Sequence, residues 1–352
     1  MIYKKVTELI GHQKKLLQLP LKKHFKSEVL LKLEKFNPGG SMKDRMALSM
    51  LLDAQKRGLI KGGTIYCSSS GNTVAGLAIV CAECGYNLTA VVDHHASKQK
   101  LDFIRVFGAK THFVNSSDLG EDQVATALRE KTEIELAAFD PRGFALCQYD
   151  NPSNPMGYTS LGKDLLDATE GRIDVLVASV GTGGSVTGVV SVLKKNLPNL
   201  LVIGVEPKGS TAFEPRFAHP YYQSGTGTPG GVKPAKNINY DLIDRGLKVS
   251  DKEAFAICRY LARNYGLLIG GSSGGIIYKA LELATQSEQS LRILVLVPDG
   301  GEKYLNTIYN DQWMCERNLL APEIENHLAE ILEKKTWDYV SKVPQVRNIS
   351  LV

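Results

Sequence analysis

Residues 174–185 read DVLVASVGTGGS, and the expected architecture follows from this stretch. After the aspartate its first half is apolar or small, which is typical of a strand covered on both faces of a parallel sheet. A glycine-rich turn follows and opens a helix-like stretch toward Leu197. Glycines let the backbone approach an anion, and a helix N terminus offers unpaired N–H groups. The turn therefore predicts a phosphate cradle, formed by Gly181, Thr182, Gly183, Gly184 and Ser185.

The same unit of a short β-rich run, a turn rich in glycine or serine and a helix-like stretch recurs along the chain. It begins again near residues 64 and 88, and two further buried-strand candidates cover residues 201–206 and 292–297. Alternating units of this kind predict an open α/β fold, in which ligands bind at the carboxyl ends of the strands. The irregular stretch at residues 207–236 is long enough to be either functional or mobile.

The composition excludes several classes of protein. Hydrophobic residues are 43% and charged residues 22% of the chain, which excludes general disorder. The length of 352 residues predicts about two domains. The net charge of +5 has no long block of one sign and aromatic residues are 7%, so we expect no nucleic-acid partner. No apolar run approaches the roughly 18 residues of a membrane-spanning helix, and no signal-peptide core follows the N terminus. We therefore expect a cytoplasmic protein without membrane contact.

The cysteines and histidines do not indicate a metal site. Six cysteines in a chain of this length do not form a disulfide framework. Cys81 and Cys84 form a CxxC pair inside an apolar, helix-like stretch, and we interpret both as small buried core residues, with a redox role left open. Zinc would need a second pair of ligands at suitable spacing, which the sequence lacks, so we expect no metal. His94 and His95 follow a strand end and fit a solvated loop better than a catalytic role.

A lysine at a second glycine-rich turn suggests what the phosphate cradle holds. The cradle is not a dinucleotide fingerprint, because the third glycine would fall at position 186, which is valine. A small cofactor phosphate remains. Residues 37–45 read NPGGSMKDR and place Lys43 at the start of a helix expected over residues 44–57. A lone lysine is ordinarily a solvated surface group, but beside a phosphate cradle this one suggests a Schiff-base amine.

Six motifs resemble the fold-type II pyridoxal-phosphate enzymes of the cysteine synthase and cystathionine β-synthase family. They occur in the family order between about residues 10 and 313. The motifs are NPGGSMKDR at 37–45, SSSGNT at 68–73, QYDNPSNP at 148–155, GTGGS at 181–185, LLIGGSSGG at 267–275 and PDGGEKYL at 298–305.

This resemblance implies a fold, a cofactor and an assembly. The fold would have two open, twisted, mainly parallel sheets with helices on both faces, as in the tryptophan synthase β-like proteins. Residues 42–148 would form a smaller, mobile, substrate-side domain. Residues 1–41 and 149–352 would form the larger domain that binds the cofactor phosphate. The cofactor would be pyridoxal 5′-phosphate, the substrates small amino acids and the assembly a homodimer.

The resemblance also assigns roles to residues. Lys43 matches the catalytic lysine that forms the internal aldimine, and the cradle matches the cofactor-phosphate loop. Asn72 matches the asparagine beside the pyridoxal 3′-oxygen, and Ser272 the serine that hydrogen-bonds the pyridine nitrogen. A neutral hydroxyl there makes the ring a weaker electron sink, which favours elimination to an α-aminoacrylate over transamination. The groups that grip the substrate α-carboxylate match Ser69, Ser70, Gly71, Asn72, Thr73 and Gln148.

The expected reaction is β-replacement on O-phospho- or O-acetyl-L-serine, and the resemblance favours an amino-acid amine as the acceptor, as in a 2,3-diaminopropionate or siderophore pathway, with sulfide as the alternative. Tyr149 and the ending YLNTIYNDQW at 304–313 look most like the siderophore branch, which joins O-phospho-L-serine to L-glutamate, and Ser69 replaces the threonine of plain cysteine synthases. Gly181 and the Asn-Pro pair at 154–155 instead match cysteine synthases, whose acceptor is sulfide. A β-eliminating lyase that releases pyruvate and ammonia needs the same residues. A glutamate acceptor would need cations, for which the candidates are Lys208, Arg216, Lys233 and Lys236.

The C-terminal segment at residues 316–352 is too short for a paired regulatory domain. We expect it to form a helix that docks on a partner subunit. A non-catalytic binding protein of the same fold is the remaining alternative, and the presence of Lys43 argues against it.

Overall fold

The computed structural model describes residues 2–94, 96–115 and 125–333. The strands are β1 Leu17–Gln18, β2 Glu28–Leu33, β3 Thr64–Ser68, β4 Asn87–Val92, β5 Lys110–Phe113, β6 Phe144–Ala145, β7 Val175–Ser179, β8 Leu201–Pro207, β9 Arg245–Val249 and β10 Arg292–Val297. The α-helices are α1 Lys43–Lys56, α2 Asn72–Cys84, α3 Lys98–Val106, α4 Thr126–Phe139, α5 Ser153–Met156, α6 Thr159–Thr169, α7 Gly184–Asn196, α8 Asp251–Tyr265, α9 Gly271–Gln286, α10 Asp311–Glu316 and α11 Pro322–Ile331.

The strands form two sheets, which confirms the expected α/β fold. The larger sheet has the order β1-β2-β10-β7-β8-β9, and the smaller sheet has the order β5-β4-β3-β6. All neighbouring strands are parallel except the β1–β2 pair at one edge. The smaller sheet lies within the predicted substrate-side segment at residues 42–148. The division into two domains and the mobility of the smaller one stay predictions.

The alternation of side chains along β7 explains why the whole strand is apolar. Leu176 and Ala178 belong to the hydrophobic cluster on one face of the larger sheet, which also contains side chains of α1, α2 and α7. Val175 and Val177 belong to the cluster on the other face, with side chains of α8 and α9. Both faces are therefore covered, and polar residues are excluded from the strand on either side.

Helix packing decides the environment of the CxxC pair. Cys81 is buried at 2% exposure, as expected. Cys84 is exposed, so the expectation of a buried side chain is wrong for this residue. It occupies the last position of α2, immediately before Gly85 ends the helix in the left-handed conformation at φ 75°. All six cysteines are free thiols, and the described residues contain no cluster of three or more metal-binding side chains.

The beginning of the C-terminal segment packs on its own chain. In α11, Leu328 and Ile331 are buried in the cluster that includes Tyr260 and Leu261 of α8. Residues 334–352 lie outside the described residues, and so does His95. Docking of the segment on a partner subunit stays a prediction. No helix within the described ranges is both long enough and apolar enough to cross a membrane.

Candidate active site

The predicted phosphate cradle lies at the carboxyl end of β7, where the chain turns into α7. Gly183 precedes the helix in the left-handed conformation at φ 78°, which favours glycine. A Cβ at Gly183 would lie 2.5 Å from Ile238 Cγ1, and one at Gly184 would collide with Asn154 Oδ1. The turn therefore has no room for side chains at these two positions. The unpaired N–H groups at the start of a 13-residue helix can bind an anion.

Lys43 is the first residue of α1 and reaches across to this cradle. Its Nζ lies 3.5 Å from Thr182 Oγ1, within the limit of a weak hydrogen bond. Desolvation lowers the pKa of the Lys43 amine to about 8, and the charge of Asp299 opposes this shift. A lysine of this kind has a larger neutral fraction near pH 8 than a solvated lysine, which makes its nitrogen a better nucleophile.

One cavity collects most of the predicted cofactor-binding residues. Ser272, the second residue of α9, lines it together with the cradle and Lys43. Ser179, Ser224 and Gly225 also line it, although they are not among the predicted cofactor-binding residues. The last two come from the irregular stretch at residues 207–236, which therefore forms part of the wall. The lining residues are Met42, Lys43, Asn72, Ser179, Gly181, Thr182, Gly183, Ser185, Ser224, Gly225, Ser272 and Pro298. Gly184 packs behind the turn against Asn154.

The residues predicted to grip a substrate carboxylate form an adjoining network. Thr73 Oγ1 donates to Gln148 Oε1 at 2.7 Å, and Gln148 Nε2 donates to the carbonyl of Ser68 at 2.8 Å. The Gly71 N–H donates to Ser69 Oγ at 3.1 Å. Thr73 and Gln148 are buried, whereas Ser69, Ser70 and Gly71 are half-buried. The network joins the cavity through Asn72.

Sequence reasoning missed the groups that orient Asn72. Lys303 Nζ donates to Asn72 Oδ1 at 2.7 Å, and Asn72 Nδ2 donates to Asp299 Oδ2 at 2.8 Å. The Tyr304 hydroxyl also donates to Asp299 Oδ2, at 2.7 Å. These bonds fix which way the Asn72 amide points. The motif PDGGEKYL carries these groups and is visible in the sequence, but its pattern alone does not indicate their role in the site.

The same groups bring the lysine turn into the network. Lys303 Nζ donates to the Gly39 carbonyl at 2.8 Å, just before Lys43 in the chain. Burial raises the pKa of the Asp299 carboxyl, while hydrogen bonds from Asn72 and Tyr304 oppose that shift. Burial also lowers the pKa of the Lys303 amine, and the charge of Asp299 opposes this. The buried carboxylate of Asp299 thus interacts with the amines of both Lys43 and Lys303.

Comparison with known proteins identifies the family. Residues 7–299 match the family model described as pyridoxal-phosphate dependent enzyme, so the chain belongs to that family. A putative cysteine synthase of Sinorhizobium fredii (strain NBRC 101917 / NGR234) is 46% identical over 330 residues, which cover 93% of this chain and 97% of that protein. The cystathionine β-synthase of Oryctolagus cuniculus is 36% identical over 335 residues, which cover 91% of this chain and 57% of that longer protein.

Solved structures agree with this assignment. A hydrogen sulfide-producing enzyme from Fusobacterium nucleatum superposes with a TM-score of 0.80 at 31% identity, covering 86% of this chain and 100% of its own. An O-acetylserine dependent cystathionine β-synthase from Helicobacter pylori gives a TM-score of 0.78 at 30% identity, covering 88% and 100%. The protein is a pyridoxal-phosphate dependent transferase of the cysteine synthase family, as the motifs predicted.

The residues in the cavity fit this cofactor. The cradle at residues 181–185 leaves no space for a Cβ at Gly183 or Gly184 and presents backbone N–H groups to an anion. An amine with a lowered pKa lies beside it, which suits covalent attachment of an aldehyde. Asn72 and Ser272 add polar side chains to the same cavity.

Proposed function

We propose that the protein catalyses β-replacement on an O-activated L-serine, either O-acetyl- or O-phospho-L-serine. The observation that carries this proposal is the convergence of Lys43, the phosphate cradle and Ser272 on one cavity. The neighbouring network of residues 68–73 and Gln148 offers polar groups to the amino-acid carboxylate. The similarity to an O-acetylserine dependent enzyme supports the choice of an activated serine.

Each group has a distinct task in this proposal. The cradle at residues 181–185 binds the cofactor phosphate, and Asn72 and Ser272 bind polar atoms of the ring. When bound, pyridoxal phosphate supplies the electron sink for the bonds at the substrate Cα. Lys43 holds the cofactor, then takes the Cα proton on its Nζ and later returns a proton. Because the Ser272 hydroxyl is neutral, it does not stabilise a protonated ring nitrogen, which supports loss of the β-leaving group over amino transfer.

The candidate cations, the lining of the cavity and one relative favour sulfide over the amino-acid acceptor that the motifs favoured. Lys236, one of the four candidate cations, pairs with Asp150 at 2.5 Å. Lys208, Arg216 and Lys233 are exposed side chains. Among the described residues lining the cavity, the single cation is Lys43, so a glutamate acceptor has no evident partner for its carboxylates there. Sulfide needs almost no binding site, and the relative at 46% identity carries the name putative cysteine synthase.

An amino-acid amine is the second candidate acceptor. Tyr149 and the ending at residues 304–313 resemble the siderophore branch, whose product is N-(2-amino-2-carboxyethyl)-L-glutamate. Tyr304 of that ending donates a hydrogen bond to Asp299, so the resemblance extends to the edge of the cavity.

A competition assay separates these functions. The holoenzyme would be given O-acetyl- or O-phospho-L-serine with sulfide, thiols, L-glutamate and other amines, and the products would be identified by mass spectrometry. We expect cysteine as the main product from O-acetyl-L-serine and sulfide, and no product with Lys43→Ala. A predominant amine adduct would establish the second candidate instead. Pyruvate and ammonia in amounts that no acceptor reduces would refute β-replacement in favour of a lyase.

A further inference from the structure

Glu133 is a buried carboxylate that joins two separate segments of the chain. It lies on α4 with only 1% of its surface exposed. Its Oε2 accepts a hydrogen bond from the Ser68 N–H at 2.8 Å, and its Oε1 accepts one from the Cys147 N–H at 2.7 Å. Ser68 ends β3, whereas Cys147 follows β6, almost eighty positions later in the chain.

Both segments lead directly into the residues predicted to bind the substrate carboxylate. Residues 69–73 follow Ser68, and Gln148 follows Cys147. The same two segments are linked by the bond from Gln148 Nε2 to the Ser68 carbonyl at 2.8 Å. One carboxylate and one side-chain amide therefore set the distance between the two halves of this candidate subsite.

The backbone at Cys147 needs this support. Its φ is +52°, in the left-handed region that non-glycine residues seldom occupy. Such a conformation persists only where the surroundings hold it in place, and it is common beside functional sites. The Cys147 N–H is held by the carboxylate of Glu133, a charge-assisted bond that is stronger than a bond to a neutral acceptor.

We infer that Glu133 is a positioning residue, which holds the Ser68 and Cys147 segments in the arrangement that binds the α-carboxylate of an amino-acid substrate. It does so without touching the substrate. The identity of the ligand in this inference rests on the proposed function. The link that Glu133 makes between the Ser68 and Cys147 segments, which we call the clamp, rests on the two hydrogen bonds alone. Without the clamp, the two segments separate or reorient, and substrate binding weakens more than the chemical step.

The charge of Glu133 is part of the clamp. Burial raises the pKa of Glu133 to about 7, although the N–H groups of Cys147, Ser68 and Leu146 oppose the shift. The titratable groups that interact with it are Glu130 on the same helix, Cys67 on β3, and Cys147 and Tyr149 on the other segment. Protonation removes the negative charge and makes one of the two oxygens a much weaker acceptor, so the bonds to the Ser68 and Cys147 N–H groups lose their charge assistance. The hold of Glu133 on the two segments therefore weakens as the pH falls below about 7.

The test compares Glu133→Gln with Glu135→Gln, which changes a 53% exposed side chain on the same helix. In Glu133→Gln we expect the half-saturating concentration of O-acetyl-L-serine to rise about tenfold, the effect of losing one charge-assisted hydrogen bond, with kcat changed less than twofold. Cofactor content should stay the same in both variants. Without substrate, hydrogen exchange at the Ser68 and Cys147 amides should quicken about tenfold in Glu133→Gln alone.

The pH dependence gives a second readout. In the wild-type enzyme the half-saturating concentration should rise as the pH falls below about 7, and in Glu133→Gln this part of the dependence should disappear. If the wild-type enzyme responds to no activated serine, the proposed function fails, while the exchange measurement still decides the role of Glu133. Should Glu133→Gln not fold, the comparison of variants is replaced by the protection of the Ser68 and Cys147 amides from hydrogen exchange in the wild-type protein, measured at pH 6 and at pH 8. Equal exchange and equal half-saturation in the two variants, or equal protection at the two pH values, would overturn the inference.

Discussion

At the scale of single residues, Asp299 connects groups that are far apart in the sequence. Its carboxylate accepts from Asn72 and Tyr304 and interacts with the charges of Lys43 and Lys303. Desolvation alone would disfavour the ammonium form of both lysines, and the Asp299 charge partly restores it. The reactivity of Lys43 therefore depends on a carboxylate 256 positions later in the chain, from residue 43 to residue 299.

Lys303 provides a test of this network. Lys303→Met removes the bond to Asn72 Oδ1, which leaves the amide held by its bond to Asp299 alone and therefore less firmly oriented. We expect the cofactor to stay bound, because the phosphate cradle is unchanged, but kcat to fall by roughly tenfold or more. The measurements are steady-state kinetics and the absorption spectrum of the bound cofactor. Lys98→Met, which removes a 90% exposed lysine from α3, is the matched control. Equal kcat values for the two variants would show that Lys303 does not position Asn72.

At the scale of elements, the β7–α7 turn combines a backbone requirement with a packing requirement. Gly183 has a left-handed φ of 78°, and Ile238 lies so close to it that no side chain fits between them. Gly85 at the end of α2 has a similar φ of 75°, but a Cβ there would meet no described atom within 4 Å. The two glycines thus differ in packing and share their conformation.

Alanine substitutions at Gly85 and Gly183 separate the effect of backbone strain from the effect of steric exclusion. Gly85→Ala should cost about 1 kcal/mol of unfolding free energy and leave the affinity for pyridoxal phosphate unchanged. Gly183→Ala should cost more and weaken that affinity at least tenfold, because the turn must shift away from Ile238. Denaturant melts give the first quantity, and fluorescence titration of the apoprotein with pyridoxal phosphate gives the second. Equal cofactor affinity in both variants would remove the turn at residues 181–185 from the cofactor site.

At the scale of the whole molecule, a buried carboxylate links stability to pH. Asp44 is the second residue of α1, and its Oδ2 accepts the Gly39 N–H at 2.5 Å. Burial raises the pKa of Asp44 from 3.8 to about 6. Between these values the folded chain binds more protons than the unfolded chain. The contribution of Asp44 protonation to the unfolding free energy is therefore complete below about pH 4 and is lost as the pH rises through about 6.

Asp44→Asn should remove this part of the pH dependence. Between pH 4 and pH 7, the wild-type protein should lose on the order of 2 kcal/mol of unfolding free energy relative to the variant. Urea unfolding at pH 4, 5, 6 and 7 measures the difference. Parallel curves for the two proteins would mean that Asp44 does not titrate differently in the folded state. The homodimer remains a prediction for this scale, and sedimentation at several concentrations would test it.

Local patterns in the sequence determined the α/β architecture, the family and the cofactor. Apolar runs such as residues 175–179 specify strands covered on both faces, and the turn at residues 181–185 specifies an anion cradle at the start of a helix. These features need only neighbours in the chain, since periodicity and glycine spacing are set within about a dozen residues.

The tertiary structure alone decided which side chains meet. Asn72 bonds to Asp299 and Lys303 across 227 and 231 positions, and Glu133 joins Ser68 and Cys147 across 65 and 14 positions. Such pairs leave no periodic signal, because each depends on how two sheets and their helices pack together. The exposure of Cys84 has the same origin. A buried carboxylate is stable only where folding brings donors to it, and those donors are fixed by the complete packing of the chain.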